Sequence, residues 1–227
     1  MCNEACLDFI RNVTNKEELE GKQVLEIGSL DVNGSARSFI EKMGPSKYLG
    51  IDIVNGNGVD EICSIYDILE KYGNESFDVV VCTEVMEHVK DWKKAISNMK
   101  KIIRRGGIIL LTTRSSGYKY HAWPYDFWRF EADDMKNIFS DFSILRIEKG
   151  LDSPGVFVKA KKPGNFVENN ISHYKLYSIV ADKNVSTISS VDYLINFHRL
   201  FLLFAKDKLR PLLPQAFKNI VKKILGK

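Results

Sequence analysis

Apolar and polar positions follow two alternating periods along the first two-thirds of the chain. Short apolar runs that end in polar turns occur at Val24–Ile27, Tyr48–Ile53, Val59–Cys63, Phe77–Cys82 and Ile108–Thr112. They read as strands, and Phe77-Asp-Val-Val-Val-Cys82 is apolar enough to be covered on both faces of a parallel sheet. Helical stretches separate them. Ala36–Met43 is stopped by Gly44-Pro45, and Ile65–Tyr72 by Gly73-Asn74. Asp91–Ile103 places Trp92, Ala95, Ile96, Met99, Ile102 and Ile103 on one face, and Arg104-Arg-Gly-Gly107 caps it before the fifth strand. Glu131–Phe139 is a further helix; Phe142–Lys149 and Val156–Ala160 are strands joined by Asp152-Ser-Pro-Gly155. At the front, Glu4 to Arg11 is a short helix, and Thr14-Asn-Lys-Glu17 has the spacing of a capping box for another turn.

This order predicts an α/β fold: a Rossmann-like, doubly wound, mostly parallel seven-stranded sheet closed by an antiparallel hairpin. Residues 1–20 form an N-terminal helical segment, 21–162 the sheet domain, and 163–227 a C-terminal helical extension without a strand pattern. Phe217, Ile220, Val221, Ile224 and Leu225 recur at helical spacing, with Lys218, Lys222 and Lys223 off the stripe and Pro211 and Pro214 upstream. Such a basic amphipathic helix suits either peripheral contact with an anionic membrane or packing on the domain or a second subunit.

Charge and cysteines narrow the partners. A net charge of +4 is too small to argue for nucleic acid, and the excess lies beyond Arg199, on a tail without interleaved aromatics. Cys2, Cys6, Cys63 and Cys82 show neither metal-type pairing nor a disulfide framework, so free thiols in a reducing compartment are expected. The first residues show neither a basic n-region nor an apolar h-region, and no secretory leader is expected. The apolar run Leu200–Ala205 is about a third of the ~20 residues needed to span a bilayer. The expected location is the cytoplasm, with the tail suited to the inner membrane face.

The chemistry gathers at strand ends. Val24-Leu-Glu-Ile-Gly-Ser-Leu-Asp-Val-Asn-Gly-Ser35 is a strand, a polar turn and a helix start, and Asp52 ends the next strand. An acid about 20 residues past such a turn outlines a nucleotide-ribose site, for NAD or S-adenosylmethionine alike. A carboxylate there suits two charge-assisted bonds from a vicinal diol. Glu84-Val-Met-Glu-His88 follows the fourth strand. One helical turn would gather Glu84, Glu87 and His88. Such a trio can hold Mg²⁺, Mn²⁺ or Fe²⁺; His88 alone can serve as a general base, or the cluster can be structural. The loop Tyr118–Phe130 interleaves seven aromatic residues with Lys119, His121, Asp126 and Arg129. Ring faces of this kind suit a sugar, a quinone or a base, or pack as a lid.

The Glu84-Val-Met-Glu-His-Val89 run, the Arg104-Arg-Gly-Gly107 lead-in and the terminal strand pair together resemble the class I S-adenosylmethionine-dependent methyltransferases. The likeness is to the type 11-like, E-V-x-E-H-V branch and covers residues ~20–162. It implies S-adenosyl-L-methionine as cofactor, with Glu26, Gly28 and Ser29 at its methionine part. It places Asp52 at the ribose, Ile53 on the adenine, Cys63 and Ser64 along the adenine edge, and Thr83 with Glu84 beside the sulfonium. The chain departs from the G-x-G-x-G turn of the family at Ser29, and Asn33-Gly34-Ser35 comes late. Two branches it resembles, ubiquinone-pathway O-methyltransferases and small-RNA 2′-O-methyltransferases, bind a divalent metal at this acidic step. The resemblance therefore implies Glu84, Glu87 and His88 as ligands of an ion such as Mg²⁺; His121 in the aromatic loop can supply another metal ligand or the base. The expected reaction is methyl transfer to oxygen, first on a sugar hydroxyl of a glycan or lipid-linked saccharide, as in polysaccharide biosynthesis. The alternatives are a quinone-like or aromatic small molecule, a non-catalytic cofactor-binding module, and RNA methylation.

Overall fold

The computed structural model describes residues 4–122, 124–150 and 153–208. Cys2, Trp123 and the basic stripe at 217–225 lie outside the described residues. Helix α1 (Glu4–Val13) and the single turn α2 (Lys16–Leu19) lead into β1 (Gln23–Ile27). Next come α3 (Arg37–Glu41), β2 (Lys47–Asp52), β3 (Glu61–Ile62), α4 (Ile68–Tyr72), β4 (Phe77–Thr83), a 3-10 turn at Met86–His88, α5 (Trp92–Ile102) and β5 (Ile103–Arg114). The rest supplies β6 (Trp128–Arg129), α6 (Ala132–Ile138), β7 (Ser143–Lys149), β8 (Gly155–Lys161), β9 (Leu176–Ser178), β10 (Lys183–Val185), α7 (Ser190–Ile195) and α8 (Phe197–Lys208).

Seven strands form one sheet in the order β3-β2-β1-β4-β5-β8-β7, parallel from β3 to β5, with β8 and β7 antiparallel at the far edge. Successive side chains of the central strands serve opposite cores, which is why those strands read as unbroken apolar runs. Val24, Val79, Val81, Ile108 and Leu110 pack with α1 and α3; Leu25, Ile27, Val80, Cys82, Ile109 and Leu111 pack with α4, α5 and α6. Strand order reverses between β1 and β4. That reversal opens a crevice at the C-terminal strand ends, where this architecture binds ligands.

Three details differ from the sequence reading. The capping box uses Asn15 and Glu18, because α1 runs on to Val13 and the Thr14 hydroxyl donates to the Ile10 carbonyl at 2.6 Å. Arg104–Gly107 belongs to β5 as a bulge: the β4 register jumps from Phe77↔Ile103 to Val79↔Ile108. The positive φ of Gly106 (79°) accommodates the extra residues. Beyond residue 165, two strands appear where none were read. β9 and β10 form a hairpin that pairs through β9 with β6 in a second, three-stranded sheet. At three residues each, these strands are too short to show alternation. Their pairing ties the aromatic stretch in place, and the Ile179 amide donates to the Phe127 carbonyl at 2.9 Å.

Candidate active site

A cavity of about 290 Å³ opens where β1, β2 and β4 end, at the low end of the roughly 300–1,000 Å³ usual for small-molecule sites. Gly28, Asp52, Ile53, Cys63, Ser64 and Thr83 line it as expected, and so do Glu84 and His88. Glu26 and Ser29 do not. Glu26 shares the β1 face of Val24 and is buried away from the crevice, and burial pushes its carboxyl up to about 7. Ser29 is drawn under β2, because the turn is zipped to that strand. The Gly28 and Ser29 amides both donate to the Ile51 carbonyl, at 2.9 and 3.0 Å, and the Leu30 amide donates to Asp52 Oδ2 at 3.3 Å. Gly28 has φ +77°, and a Cβ there would lie 2.2 Å from Val85 Cγ2. The turn thus keeps its glycine at the point of closest approach and spreads the rest over a longer loop. That loop is closed by the Gly34 amide donating to Asp31 Oδ1 at 2.9 Å.

Asp52 receives one amide per carboxylate oxygen, Leu30 at Oδ2 and Val54 at Oδ1 (3.2 Å), which fixes its orientation and leaves lone pairs for a ligand. Beside it Ile53 is 73% exposed on the cavity wall, an apolar surface that a purine ring would cover. Burial raises the Cys63 thiol pKa, so this side of the wall is uncharged. A carboxylate for a diol next to an uncovered aliphatic face fits an adenosyl group.

The acidic step departs from one helical turn. Glu84 has φ +57°, an uncommon conformation for a non-glycine residue, and the 3-10 turn starts only at Met86. Glu84 therefore stays outside the ligand-distance group of Glu87 and His88, although Arg114 bridges it to Glu87. It accepts from Thr112 Oγ1 at 3.2 Å and pairs with the Arg114 guanidinium, which stacks on the Tyr118 ring at 3.9 Å. Burial and the neighbouring Glu87 push the Glu84 carboxyl well above the usual carboxylate range, against the pull of Arg114.

His121 takes the place expected for Glu84. One donor atom each from Glu87, His88 and His121 lies within 4.8 Å of the others, and the two imidazoles stand 4.8 Å apart. Glu87 accepts from Thr113 Oγ1 at 2.8 Å; its other oxygen, Oε1, is buried without a hydrogen bond and lies 3.8 Å from His88 Nε2. His88 Nδ1 meets the Tyr125 carbonyl at 2.6 Å, and His121 Nδ1 meets Asp126 Oδ2 at 3.0 Å. Both partners are acceptors, which assigns a proton to each Nδ1; in a neutral ring Nε2 is then the lone-pair donor. Burial lowers the His88 pKa in spite of Glu87. Burial pushes Asp126 up, but bonds from Arg129 (2.6 and 2.9 Å) and His121 outweigh it and hold its carboxyl at about 2.

Tyr120, Phe127, Trp128 and Phe130 are buried and none of them lines the cavity, so these rings are core rather than display. The Phe127 amide donates to the Glu87 carbonyl at 2.9 Å, which couples that core to the acidic turn. Arg114 was not legible as a site residue. Its only signal is a polar Thr112-Thr-Arg114 triplet at the end of an apolar strand.

A methyltransferase-domain family model matches residues 3–149. The ubiquinone biosynthesis O-methyltransferase of Idiomarina loihiensis is 29% identical over 130 residues, 52% of this chain and 51% of that protein. The chain thus spans about half the length of the curated relatives it matches. An S-adenosylmethionine-dependent methyltransferase from Mesorhizobium loti aligns with a TM-score of 0.55 at 16% identity, covering 70% of this chain and 98% of that one. The 1,6-didemethyltoxoflavin-N1-methyltransferase of Burkholderia thailandensis, solved with S-adenosylhomocysteine, aligns at 0.58 and 13% identity, covering 71% and 80%. These two likenesses speak for the fold. With the sheet order, the turn at Gly28 and the family match in agreement, the chain belongs to the class I S-adenosylmethionine-dependent methyltransferases.

Proposed function

We propose that this chain methylates a hydroxyl of a small quinone-like or aromatic molecule, using S-adenosylmethionine bound at Asp52. The observation that carries the reading is the convergence of Glu87, His88 and His121 beside the cavity that His88 and Thr83 help to line. A sulfonium methyl is already electrophilic, so the protein has to align the acceptor oxygen in line and take its proton. His88 suits proton removal, because its Nδ1 is held by the Tyr125 carbonyl and burial favours the neutral ring.

The same three groups suit a divalent cation, which would occupy the His88 Nε2 lone pair, so His88 would then hold the ion rather than take the proton. Glu87 Oε1 is a buried carboxylate oxygen without a hydrogen bond, both histidines present Nε2, and Asp126 orients His121 from behind. Such an ion, when bound, lowers the pKa of the acceptor hydroxyl. Glu84, committed to Arg114, stands outside this set.

The quinone-like acceptor is favoured over a glycan because relatives matched over about half their length are named ubiquinone biosynthesis O-methyltransferases. The test offers labelled S-adenosylmethionine with a catechol-type acceptor and, separately, a free monosaccharide. It is repeated after dialysis against EDTA and after Mg²⁺ or Mn²⁺ is restored. Transfer to the catechol oxygen that EDTA suppresses and the ion restores is expected. Transfer to the sugar alone would overturn the acceptor; an undiminished rate after EDTA would remove the ion from the reading.

A further inference from the structure

Helices α7 and α8 turn an apolar face away from the protein. Their inner side is anchored: Leu200 is buried, Arg199 donates to the Ile179 and Val180 carbonyls, and Asn196 Nδ2 donates to the Ala181 carbonyl at 3.5 Å. The outer side carries Val191, Leu194 and Ile195 on α7 and Phe197, Phe201 and Leu202 on α8, all exposed, Leu194 to 78%. A helix pair this short would normally bury such residues and expose its polar ones.

Positive charge borders this face. Lys90 Nζ lies 5.5 Å over the Tyr193 ring of α7. Lys90, Lys93 and Lys94 line a recess of about 480 Å³ with Ser186, Thr187 and Ile188, the segment that enters α7. The acid among them, Asp91, is engaged in capping α5 through the Lys94 amide. The sequence that follows, residues 206–227, has seven basic residues and one acidic one.

We infer that the α7–α8 face, with its lysine border, docks on an anionic lipid surface. Bulky apolar side chains would enter the acyl boundary while the lysines meet phosphate headgroups. No helix among the described residues is long and apolar enough to cross a membrane, so the contact is one of lying on the surface. Tyr66 lines both the lysine recess and the cofactor cavity, so docking would bring the mouth of the site to the lipid surface. The inference concerns binding alone and does not depend on which acceptor is methylated.

The full-length protein is sedimented with phosphatidylcholine vesicles with and without phosphatidylglycerol. Two variants are run in parallel, Leu194→Glu/Phe201→Glu and Lys90→Glu/Lys94→Glu, each checked for unchanged S-adenosylhomocysteine affinity. Binding to the anionic vesicles that weakens with salt is expected, and each variant should lower partitioning by about tenfold or more. Wild-type protein that stays in the supernatant would overturn the proposal. So would a Leu194→Glu/Phe201→Glu variant that binds like wild type, because the contact would then belong to the basic tail. A wild-type dimer that this variant makes monomeric would assign the face to a second copy and overturn the lipid reading as well.

Discussion

Arg114 lays its guanidinium against the Glu84 carboxylate, and both side chains are buried. Arg114 Nε also stands 3.9 Å from Glu87 Oε1, so one fixed cation at the end of β5 serves two carboxylates that follow β4. The acid that sequence spacing offers as a ligand is therefore half of an internal ion pair. It leaves Glu87 to work with two histidines.

Removing the cation should expose that arrangement. Arg114→Met strips the buried Glu84 and Glu87 of the cation they share, a loss of about 3–5 kcal/mol. Urea unfolding of both proteins measures it.

Gly28→Ala meets two obstacles, the φ of +77° and the 2.2 Å approach to Val85 Cγ2. Overpacking of this kind costs about 1–3 kcal/mol, and the displaced turn should weaken S-adenosylhomocysteine binding. In a Val85→Ala background the steric part should be relieved and the backbone part should persist. Thermal denaturation with and without ligand separates the two.

Asp126 gives a sign-defined pH dependence. Its carboxyl is held at about 2 against an ordinary 3.8. A depressed carboxyl contributes stability that is complete above its unfolded value and lost as pH falls through the folded one, here about 2 kcal/mol. Asp126→Asn should flatten stability between about pH 4 and pH 2 and, by stranding Arg129, cost about 3–5 kcal/mol near neutrality. Acid titration followed by circular dichroism reads both.

Asp52→Asn tests the ribose assignment separately from folding. Its internal bonds come from the Leu30 and Val54 amides, which an amide oxygen can in part still accept. Calorimetry should show S-adenosylhomocysteine affinity falling by about 10–100-fold, the worth of hydrogen bonds to a charged group, beside a small fall in melting temperature where one amide loses its acceptor. Unaltered affinity would move the ribose elsewhere.

The sheet is legible because its central strands are buried on both faces and announce themselves as apolar runs; Val79–Cys82 and Ile108–Leu111 leave little choice. Most of the cofactor wall follows from strand ends, since Asp52, Cys63 and Thr83 reach it by topology alone. Glu26 and Ser29 escape motif spacing because neighbouring residues on a strand and its turn face opposite ways, and spacing does not say which. Helical spacing does not group Glu84 with Glu87 and His88, because the positive φ at Glu84 breaks the turn. His121, named from the sequence as a ligand or base, and Asp126 sit 33 and 38 residues past His88; the segment is held to the acidic turn by the Tyr125 carbonyl at His88 Nδ1 and the Phe127 amide at the Glu87 carbonyl, long-range contacts that local pattern does not encode.

Glu87, His88 and His121 together prepare an acceptor hydroxyl beside a cofactor held at Asp52 in the function proposed above. Single-turnover transfer from pre-bound, labelled S-adenosylmethionine to a catechol-type hydroxyl, measured for wild type and His88→Ala, tests this most directly. The expected result is a loss of about 10²–10⁴-fold in the methyl-transfer rate, with S-adenosylhomocysteine affinity unchanged. A His88→Ala protein that transfers methyl at the wild-type rate would contradict it.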